Sequence, residues 1–228
     1  MKLNLVGRKT EAPGVESFLF KPTEPITWKA GQFFRYVLHH RPTDDRGSDR
    51  HFTIATAPSE ETIMLTTRFT IDKGSSFKNA LAGMKIGDTI EISSLAGDFI
   101  LEDFAKEYVF IAGGIGITPF RAILKDLEKK EQQPVITLLY ANRDQNITYK
   151  DELEAIAKNN SQLKIQYVIS PERIDVAKVG EFVPDMQKPI FYISGPEPMV
   201  DSLGNALKEA GVSGDHIKQD WFPGYQEE

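Results

Sequence analysis

The sequence contains no cysteine, and this absence removes several kinds of chemistry. Disulfide bonds, cysteine-ligated zinc, thiolate-held iron–sulfur clusters and cysteine nucleophiles are all excluded. The histidines show no metal-ligand spacing, and no G-x-S-x-G sequence marks a serine nucleophile. Any redox chemistry must therefore depend on a bound organic cofactor.

Long apolar runs and basic stripes are also missing. No stretch approaches the roughly 18 to 20 apolar residues that a membrane-spanning helix needs, and the N-terminus lacks the apolar core of a secretory signal. We therefore expect a cytoplasmic protein without a membrane span. Residues 1–102 hold 13 basic and 13 acidic side chains, and residues 103–228 hold 14 and 20. Neither half has the basic excess of a nucleic-acid-binding protein, so nucleic acid is not an expected partner.

What the sequence does contain in residues 1–102 is a series of short segments rich in β-branched and aromatic residues. Turn sequences such as APG, KPTEP and RPTDDRG separate them, which is typical of an antiparallel β-barrel or sandwich. The predicted strands are KLNLVGRK, VESFLFK, QFFRYVLHH, RHFTIAT, TIMLTTRF and DTIEIS. One helix is predicted among them, at SSFKNALAGM. The paired acids Asp44 and Asp45 are expected in a solvated loop.

Residues 103–228 alternate between apolar strands and amphipathic helices. Such alternation predicts a parallel sheet covered by helices on both faces. The predicted elements are YVFIAGG, ITPFRAILKDLEKK, VITLLYA, TYKDELEAIAKNN, KIQYVIS, PIFYISG and PEPMVDSLGNALKEAG. Two domains are therefore expected, 1–102 and 103–228.

The segment IAGGIGITPF joins the first of these strands to its helix. Its glycines, Gly113, Gly114 and Gly116, allow a tight turn and a close backbone approach to a ligand. We expect Thr118 to cap the helix and Pro119 to take its first position. A helix start of this kind favours a phosphate, although the pattern alone also fits a glycine-rich turn without a ligand.

Several motifs together resemble the ferredoxin-NADP reductase family of flavoproteins, in order and spacing and over nearly the whole chain. They are GQF at 31–33, RHFTIATAP at 50–58, GSSF at 74–77, GGIGITPF at 113–120 and ISGPEPM at 193–199. The resemblance implies an antiparallel β-barrel that binds FAD over 1–102. A Rossmann-like α/β domain that binds NAD(P)H, ending in an aromatic tail, would follow over 103–228.

The resemblance also implies a flavin-binding set in the first domain. Arg50 would pair with flavin phosphate, Phe52 would lie against the isoalloxazine or ribityl region, and Thr53 would place its hydroxyl near the flavin N5. Without the resemblance, Arg50 reads as a surface ion-pair residue and Thr53 as an ordinary strand residue. The implied set is Arg50, His51, Phe52, Thr53, Arg68, Gly74, Ser75 and Ser76. Either serine would cap the helix and add donors for the pyrophosphate, or would serve only as a cap.

On the nicotinamide side the implied set is Gly113, Gly114, Gly116, Thr118, Pro119, Arg143, Gly195, Pro196 and Met199. Ser194 stands where many family members have a cysteine near the nicotinamide, so hydride transfer is expected to be slower or differently positioned. The choice of dinucleotide is open. Arg143, followed by Tyr149 and Lys150, favours the 2′-phosphate of NADP, whereas Asp144 favours the ribose of NAD.

The ending IKQDWFPGY resembles the E-x-F-x-G-Y close of bacterial family members. Asp220 replaces the glutamate, and Phe222 and Tyr225 match the two aromatic positions. An aromatic here would either cover the flavin or pack the terminus onto the barrel. The candidate catalytic residues are thus Thr53, Ser194 and Asp220.

The expected function is an FAD-dependent NAD(P)H oxidoreductase that passes electrons to a separate acceptor. The acceptor would be a ferredoxin, a flavodoxin, an oxygenase component or a small molecule, since this chain has no cysteine to hold a cluster of its own. Two alternatives stay open: a flavin reductase that uses free flavin as substrate, and a redox-sensing or structural subunit without turnover.

Overall fold

The computed structural model of this chain describes residues 1–69 and 74–222. The chain divides into two compact units, residues 1–100 and residues 101–228. Within the described ranges, no helix combines the length and the apolar character that crossing a membrane requires.

The first unit is an antiparallel sheet with one helix. Its described elements are β1 (Lys2–Ala12), β2 (Val15–Pro22), β3 (Phe33–Val37), β4 (Asp49–Thr53), β5 (Ile63–Arg68), α1 (Ser76–Gly83) and β6 (Thr89–Ala96). The strands lie in the order β4-β3-β6-β1-β2-β5. Just beyond β4, the Ala55 N–H donates to the Met64 carbonyl of β5 at 2.8 Å. This bond draws the two outer strands together, so the sheet curls into a half-barrel.

Alternation along the strands gives this half-barrel its core. In β2, Val15, Ser17, Phe18 and Phe20 are buried while the residues between them are more exposed. The α1 helix contributes Phe77 and Leu81 from one face. The core cluster includes Leu3, Leu5, Phe18, Phe20, Phe34, Tyr36, Ile54, Leu65, Phe77 and Leu81.

The second unit is a parallel sheet flanked by helices. Its elements are β7 (Tyr108–Gly113), α2 (Thr118–Lys129), β8 (Ile136–Asn142), α3 (Lys150–Asn159), β9 (Leu163–Ile169), α4 (Val176–Phe182), β10 (Ile190–Pro196), α5 (Glu197–Glu209) and β11 (Ile217–Phe222). The strand order is β11-β10-β7-β8-β9, with every pairing parallel. All six residues of the central β7 are buried, as expected for a strand covered on both faces.

The two-domain fold class predicted from the sequence is therefore confirmed, but two elements were not predicted. The α4 helix has only seven residues, including a glycine, and depends on the Asp175 side chain as its N-cap. β11 lies in the segment interpreted as an aromatic tail, because IKQDWF has no regular alternation of polar and apolar residues. It is an edge strand of the parallel sheet, and edge strands need less apolar sequence.

Candidate functional site

The start of α1 is the most polar feature of the first unit. Ser75 is its N-cap, and the Ser75 hydroxyl oxygen accepts from the Lys78 N–H at 3.2 Å. The next hydroxyl, on Ser76, accepts from the Asp44 N–H at 2.9 Å and lies 2.8 Å from His40 Nε2. Of the two serines proposed to bind phosphate, Ser75 is therefore the cap and Ser76 anchors a distant loop.

A carboxylate from that loop occupies the helix start. Asp44 Oδ2 accepts from the Ser76 N–H at 2.9 Å, and Asp44 Oδ1 and Oδ2 lie 3.0 and 3.3 Å from Arg50 Nη2. Asp44 lies in a loop, as predicted, but its side chain is only 24% exposed and is hydrogen-bonded to α1, whereas its neighbour Asp45 is exposed. The physical reason is that a free amide at a helix start and a guanidinium together attract an anion.

The pKa of the Asp44 carboxyl shows how strongly the groups at the start of α1 stabilise its charged form. Partial burial acts to raise the pKa of the Asp44 carboxyl, but hydrogen bonds from the Ser76 N–H and the Arg50 guanidinium outweigh it. The pKa falls from its ordinary 3.8 to about 2. The helix start is thus an anion site, already holding a carboxylate of the same chain.

Both terminal nitrogens of Arg50 already have partners within the protein. Besides Asp44, its Nη1 donates to the carbonyls of Arg46 at 2.8 Å and Asp49 at 2.5 Å. Its guanidinium carbon lies 5.7 Å from the ring centre of Phe77 on α1. A flavin phosphate would meet this guanidinium only by sharing it with Asp44 or by displacing Asp44.

The remaining residues of RHFT alternate across β4. Phe52 packs on the core side, with ring centres 5.8 Å from Phe77 and 5.9 Å from Tyr36. His51 is exposed and meets the Phe33 ring edge-on at 5.5 Å. Thr53 is 4% exposed. Their proposed flavin contacts stay predictions; what the structure adds is that Phe52 already has aromatic partners.

Two more predicted flavin residues lie beside the start of α1. The Arg68 carbonyl, at the end of β5, accepts from Lys78 Nζ at 2.9 Å. Gly74 precedes the cap, and a Cβ there would lie 2.7 Å from Asn79 Oδ1, the end of a side chain that can move. The structure therefore brings Arg50, Arg68, Gly74, Ser75 and Ser76 around one helix start.

In the second unit, the glycines that follow β7 have different roles. A Cβ at Gly113 would lie 2.5 Å from Met199 Sδ and 3.1 Å from Pro196 Cδ, and a Cβ at Gly116 would clash with the Ser194 carbonyl oxygen. Gly114 alone of the three has positive φ, +53°, and no described atom lies within 4 Å of its Cβ position. Gly113 and Gly116 thus permit close packing and Gly114 is the open position, while the expected approach of all three to a ligand stays a prediction.

The start of α2 also differs from the prediction. Residues 114–117 form a 3-10 turn, Ile117 is the N-cap, and within the range 74–222 no side chain caps the helix. Thr118 is the first helical residue, and its hydroxyl donates back to the Ile115 carbonyl at 3.2 Å. Its predicted role as a cap is wrong, because the glycine-rich turn continues directly into the helix. Pro119 follows inside the first turn, where no amide hydrogen is needed.

The ends of β10 and β11 bring two predicted catalytic residues together. Ser194 pairs in parallel register with Asp220, and Gly195 with Trp221. Ser194 is fully buried, and its Oγ finds no hydrogen-bond partner among the residues described. A buried hydroxyl without a partner is costly, so a polar group of a ligand is one physical way to satisfy it.

The residues expected to decide between NAD and NADP follow β8. Arg143 and Asp144 are exposed, but Asp144 Oδ1 accepts from the Asn146 N–H at 2.7 Å and so stabilises its own turn. Tyr149 is buried beneath Arg121, whose guanidinium carbon lies 5.3 Å from its ring centre. Lys150 pairs with Glu154 at 3.8 Å. Both Arg143 and the Lys150 side chain, which is 41% exposed, therefore present cations to solvent here.

Some predicted residues cannot be placed, and some placed residues were not predicted. Tyr225 lies outside the described residues, and for Phe222 only the backbone, in β11, is described. Asp44 and His40 belong to the α1 site but were missed. For Asp44 the one available signal was the opposite charge of Arg50 six residues later, because Ser76 is 32 residues away.

Comparison with known proteins follows this geometry. Residues 110–204 match the family described as oxidoreductase NAD-binding domain. Flavohemoprotein A of Dictyostelium discoideum is 25% identical over 236 residues, which are 96% of this chain and 59% of that protein. The ferredoxin reductase component of 3-ketosteroid-9-alpha-monooxygenase from Mycolicibacterium smegmatis is 28% identical over 86% of this chain and 56% of its own length. The chain thus spans little more than half the length of these relatives.

Solved structures share the fold at low identity. A ferredoxin NADP+ reductase from Neisseria gonorrhoeae, with bound FAD and NADP, superposes with a TM-score of 0.81 at 19% identity, over 96% of this chain and 97% of that one. The flavohem-like FAD/NAD-binding domain of nitric oxide dioxygenase from Vibrio cholerae gives 0.82 at 20% identity, over 97% and 98%.

Proposed function

We propose that this chain, whose two-domain fold is that of the ferredoxin-NADP reductases, is a flavin-dependent NAD(P)H oxidoreductase. Residues 1–100 would bind FAD and residues 101–228 would bind NAD(P)H. The observation that carries the proposal is an anion-holding helix start in an antiparallel unit, followed by a parallel unit that matches an oxidoreductase NAD-binding domain. When bound, the flavin would supply the chemistry that accepts a hydride from the nicotinamide and releases electrons.

The residues present fit the two cofactors. At the start of α1, the Ser76 N–H and the Arg50 guanidinium already hold a carboxylate, which stands in for a phosphate. At the turn after β7, Gly114 provides open backbone, while its neighbours Gly113 and Gly116 pack against Met199 and buried Ser194. A dinucleotide would bind here, at the carboxyl end of a parallel sheet. Hydride transfer needs no side-chain base, so the task of these residues is to bind and orient.

NADP is the dinucleotide we expect. Arg143 is exposed at the end of β8, and the Asp144 carboxylate that would favour NAD is used within its turn. A guanidinium suits the 2′-phosphate because it offers two parallel donors. Arg143→Gln should raise the KM for NADPH about tenfold and leave that for NADH nearly unchanged.

The electron acceptor is proposed as a separate redox protein. The relatives whose names state a role include a ferredoxin reductase component and an oxygenase reductase subunit. A ferredoxin, a flavodoxin or an oxygenase component fits a chain with no cysteine, and a small acceptor would fit as well. A second candidate function, reduction of free flavin, is favoured by one observation: the Asp44 carboxylate occupies the helix start where the flavin phosphate is proposed to bind.

The test is NADPH oxidation with ferricyanide as acceptor, measured against added FAD. Arg50→Gln should raise the FAD concentration for half-maximal activity at least about tenfold, because the phosphate loses its guanidinium. Arg8→Gln is the control, because it removes a guanidinium from the other end of α1, where Arg8 Nη1 donates to the Ala82 and Met84 carbonyls. It should leave the FAD concentration for half-maximal activity unchanged. No NADPH oxidation by the unmodified protein, with or without added FAD, would contradict the proposal. FAD retained through gel filtration favours the reductase, and turnover only with added flavin favours the second candidate.

A further inference from the structure

The Asp44 carboxylate is held as a bound anion would be. It accepts from the Ser76 N–H, lies 3.0 Å from Arg50 Nη2, and accepts at Oδ1 from the Arg46 N–H at 3.0 Å. The Asp44 N–H donates in turn to the Ser76 hydroxyl. A phosphate oxygen uses the same kinds of donor, a helix-start amide and a guanidinium.

The helix itself supplies no anion for this position. The first turn of α1 reads SFKN, with a lysine where an acid is usual. The negative charge at this helix start therefore comes from a residue 32 positions earlier, and Arg50 is the cation that pairs with it.

The segment that carries Asp44 buries little else. Arg41, Pro42, Thr43, Asp45 and Arg46 are all exposed, and Asp44 is half-buried. Three backbone amides bond through Asp44: its own N–H donates to the Ser76 hydroxyl, the Arg46 N–H to its carboxylate, and the Gly47 N–H to its backbone carbonyl. Detaching the carboxylate would therefore break polar contacts without exposing core, so the detachment is local and leaves the rest of the unit folded.

We propose that Asp44 is a built-in competitor that must leave the start of α1 before a phosphate-bearing flavin can bind there. The inference rests on the proposed flavin function and adds to it a reason for weak, exchangeable binding. A flavin whose phosphate displaces Asp44 binds with an affinity reduced by the fraction of molecules in which Asp44 is detached. Riboflavin has no phosphate, so its binding affinity does not depend on Asp44.

The test is fluorescence titration with FAD, FMN and riboflavin of the unmodified protein and of Asp44→Asn. Asparagine keeps an oxygen for the Ser76 N–H but loses the charge that pairs with Arg50, so FAD and FMN should bind about tenfold more tightly and riboflavin within about twofold. Asp45→Asn is the matched control, because it makes the same charge change one residue along at an exposed site, and it should bind all three as the unmodified protein does.

Equal FAD affinities for Asp44→Asn and Asp45→Asn, or weaker binding by Asp44→Asn, would overturn the inference and leave the proposed function intact. Equal tightening of riboflavin would overturn it as well. If the unmodified protein, Asp44→Asn and Asp45→Asn all fail to bind FAD, the proposed function is refuted, and the inference with it.

Hydrogen–deuterium exchange of the unmodified protein gives a second reading that does not depend on a variant folding. FAD should speed exchange of the Asp44, Arg46 and Gly47 amides, which in the docked loop donate to the Ser76 hydroxyl, the Asp44 carboxylate and the Asp44 carbonyl respectively. Riboflavin should leave their exchange unchanged. Slower exchange of these three amides with FAD would show that the loop is held more firmly, and would contradict displacement.

Discussion

The two helix starts proposed to bind phosphates are built on different principles. At α1, side chains make the site: Ser75 caps the helix, Arg50 adds positive charge, and Asp44 holds the anion position. At α2, backbone shape makes the site, because Gly113 and Gly116 let β7 and β10 approach and a 3-10 turn leads into the helix. A site made of side chains can exchange one anion for another, whereas a site made of packed backbone is fixed when the chain folds.

The largest expected effect comes from altering the packed turn. Gly116→Ala would drive a methyl group into the Ser194 carbonyl, and backbone on both sides prevents relief. We expect the free energy of unfolding to fall by about 3 kcal/mol or more. Chemical denaturation followed by far-UV circular dichroism measures this.

Gly114→Ala is the matched control two residues earlier. Its Cβ position is open, so only the positive φ is penalised, at about 1 kcal/mol. Equal losses in the two variants would contradict the separation of packing glycine from open glycine.

A smaller loss of stability is expected from breaking the ion pair that joins α2 to α3. Arg121 Nε and Nη2 donate to the Glu152 carboxylate of α3 at 2.9 and 2.7 Å, and the Arg121 side chain is only 8% exposed. Glu152→Gln leaves a buried guanidinium less compensated and should cost roughly 2 kcal/mol in urea unfolding. Glu154→Gln, which removes an exposed pair 3.8 Å long on the same helix, should cost under about 0.5 kcal/mol.

Ser194→Cys tests the buried hydroxyl beside the turn. A thiol tolerates burial without a partner better than a hydroxyl, so the free energy of unfolding should rise by about 1 kcal/mol. Hydride transfer from NADPH, followed by stopped-flow absorbance, should also be faster. Ser202→Cys on the exposed side of α5 should change neither quantity. A destabilised Ser194→Cys protein would indicate that the hydroxyl has a partner.

The smallest expected effect is the pH dependence of the stability that Asp44 contributes at the start of α1. Because the pKa of Asp44 is lowered to about 2 in the folded protein, its contribution to stability is complete above about pH 4 and disappears as the pH falls through about 2. The melting temperature of Asp44→Asn should therefore fall less than that of Asp45→Asn between these two values. The same acid-induced decrease in both variants would show that Asp44 is not stabilised as an ion.

The sequence predicted most of the fold because its signals are local. Apolar alternation in β2 and the continuous apolar run of β7 each follow from the faces that the strand buries. α4 escaped prediction since seven residues with an internal glycine carry too little periodicity, and β11 since an edge strand has a mixed sequence.

The site was less predictable because its important contacts are distant in sequence. Residue order identified the motif around Arg50 and Ser76, but nothing near Asp44 indicates that its carboxylate reaches a helix 32 residues later. The same applies to Gly116, whose constraint comes from Ser194 on a strand 78 residues further along. Sequence patterns therefore located the segments that form the site. Which of their glycines and acids pack against the protein depends on contacts that form only when distant segments come together.

The central claim is that a nicotinamide dinucleotide reduces a flavin bound to this chain. The most direct measurement is absorbance near 450 nm of the FAD-loaded protein, mixed anaerobically with NADPH or NADH in parallel. We expect this band to bleach with NADPH, and more slowly with NADH because Arg143 favours the 2′-phosphate. A band that persists with both dinucleotides, while FAD remains bound, would contradict the account.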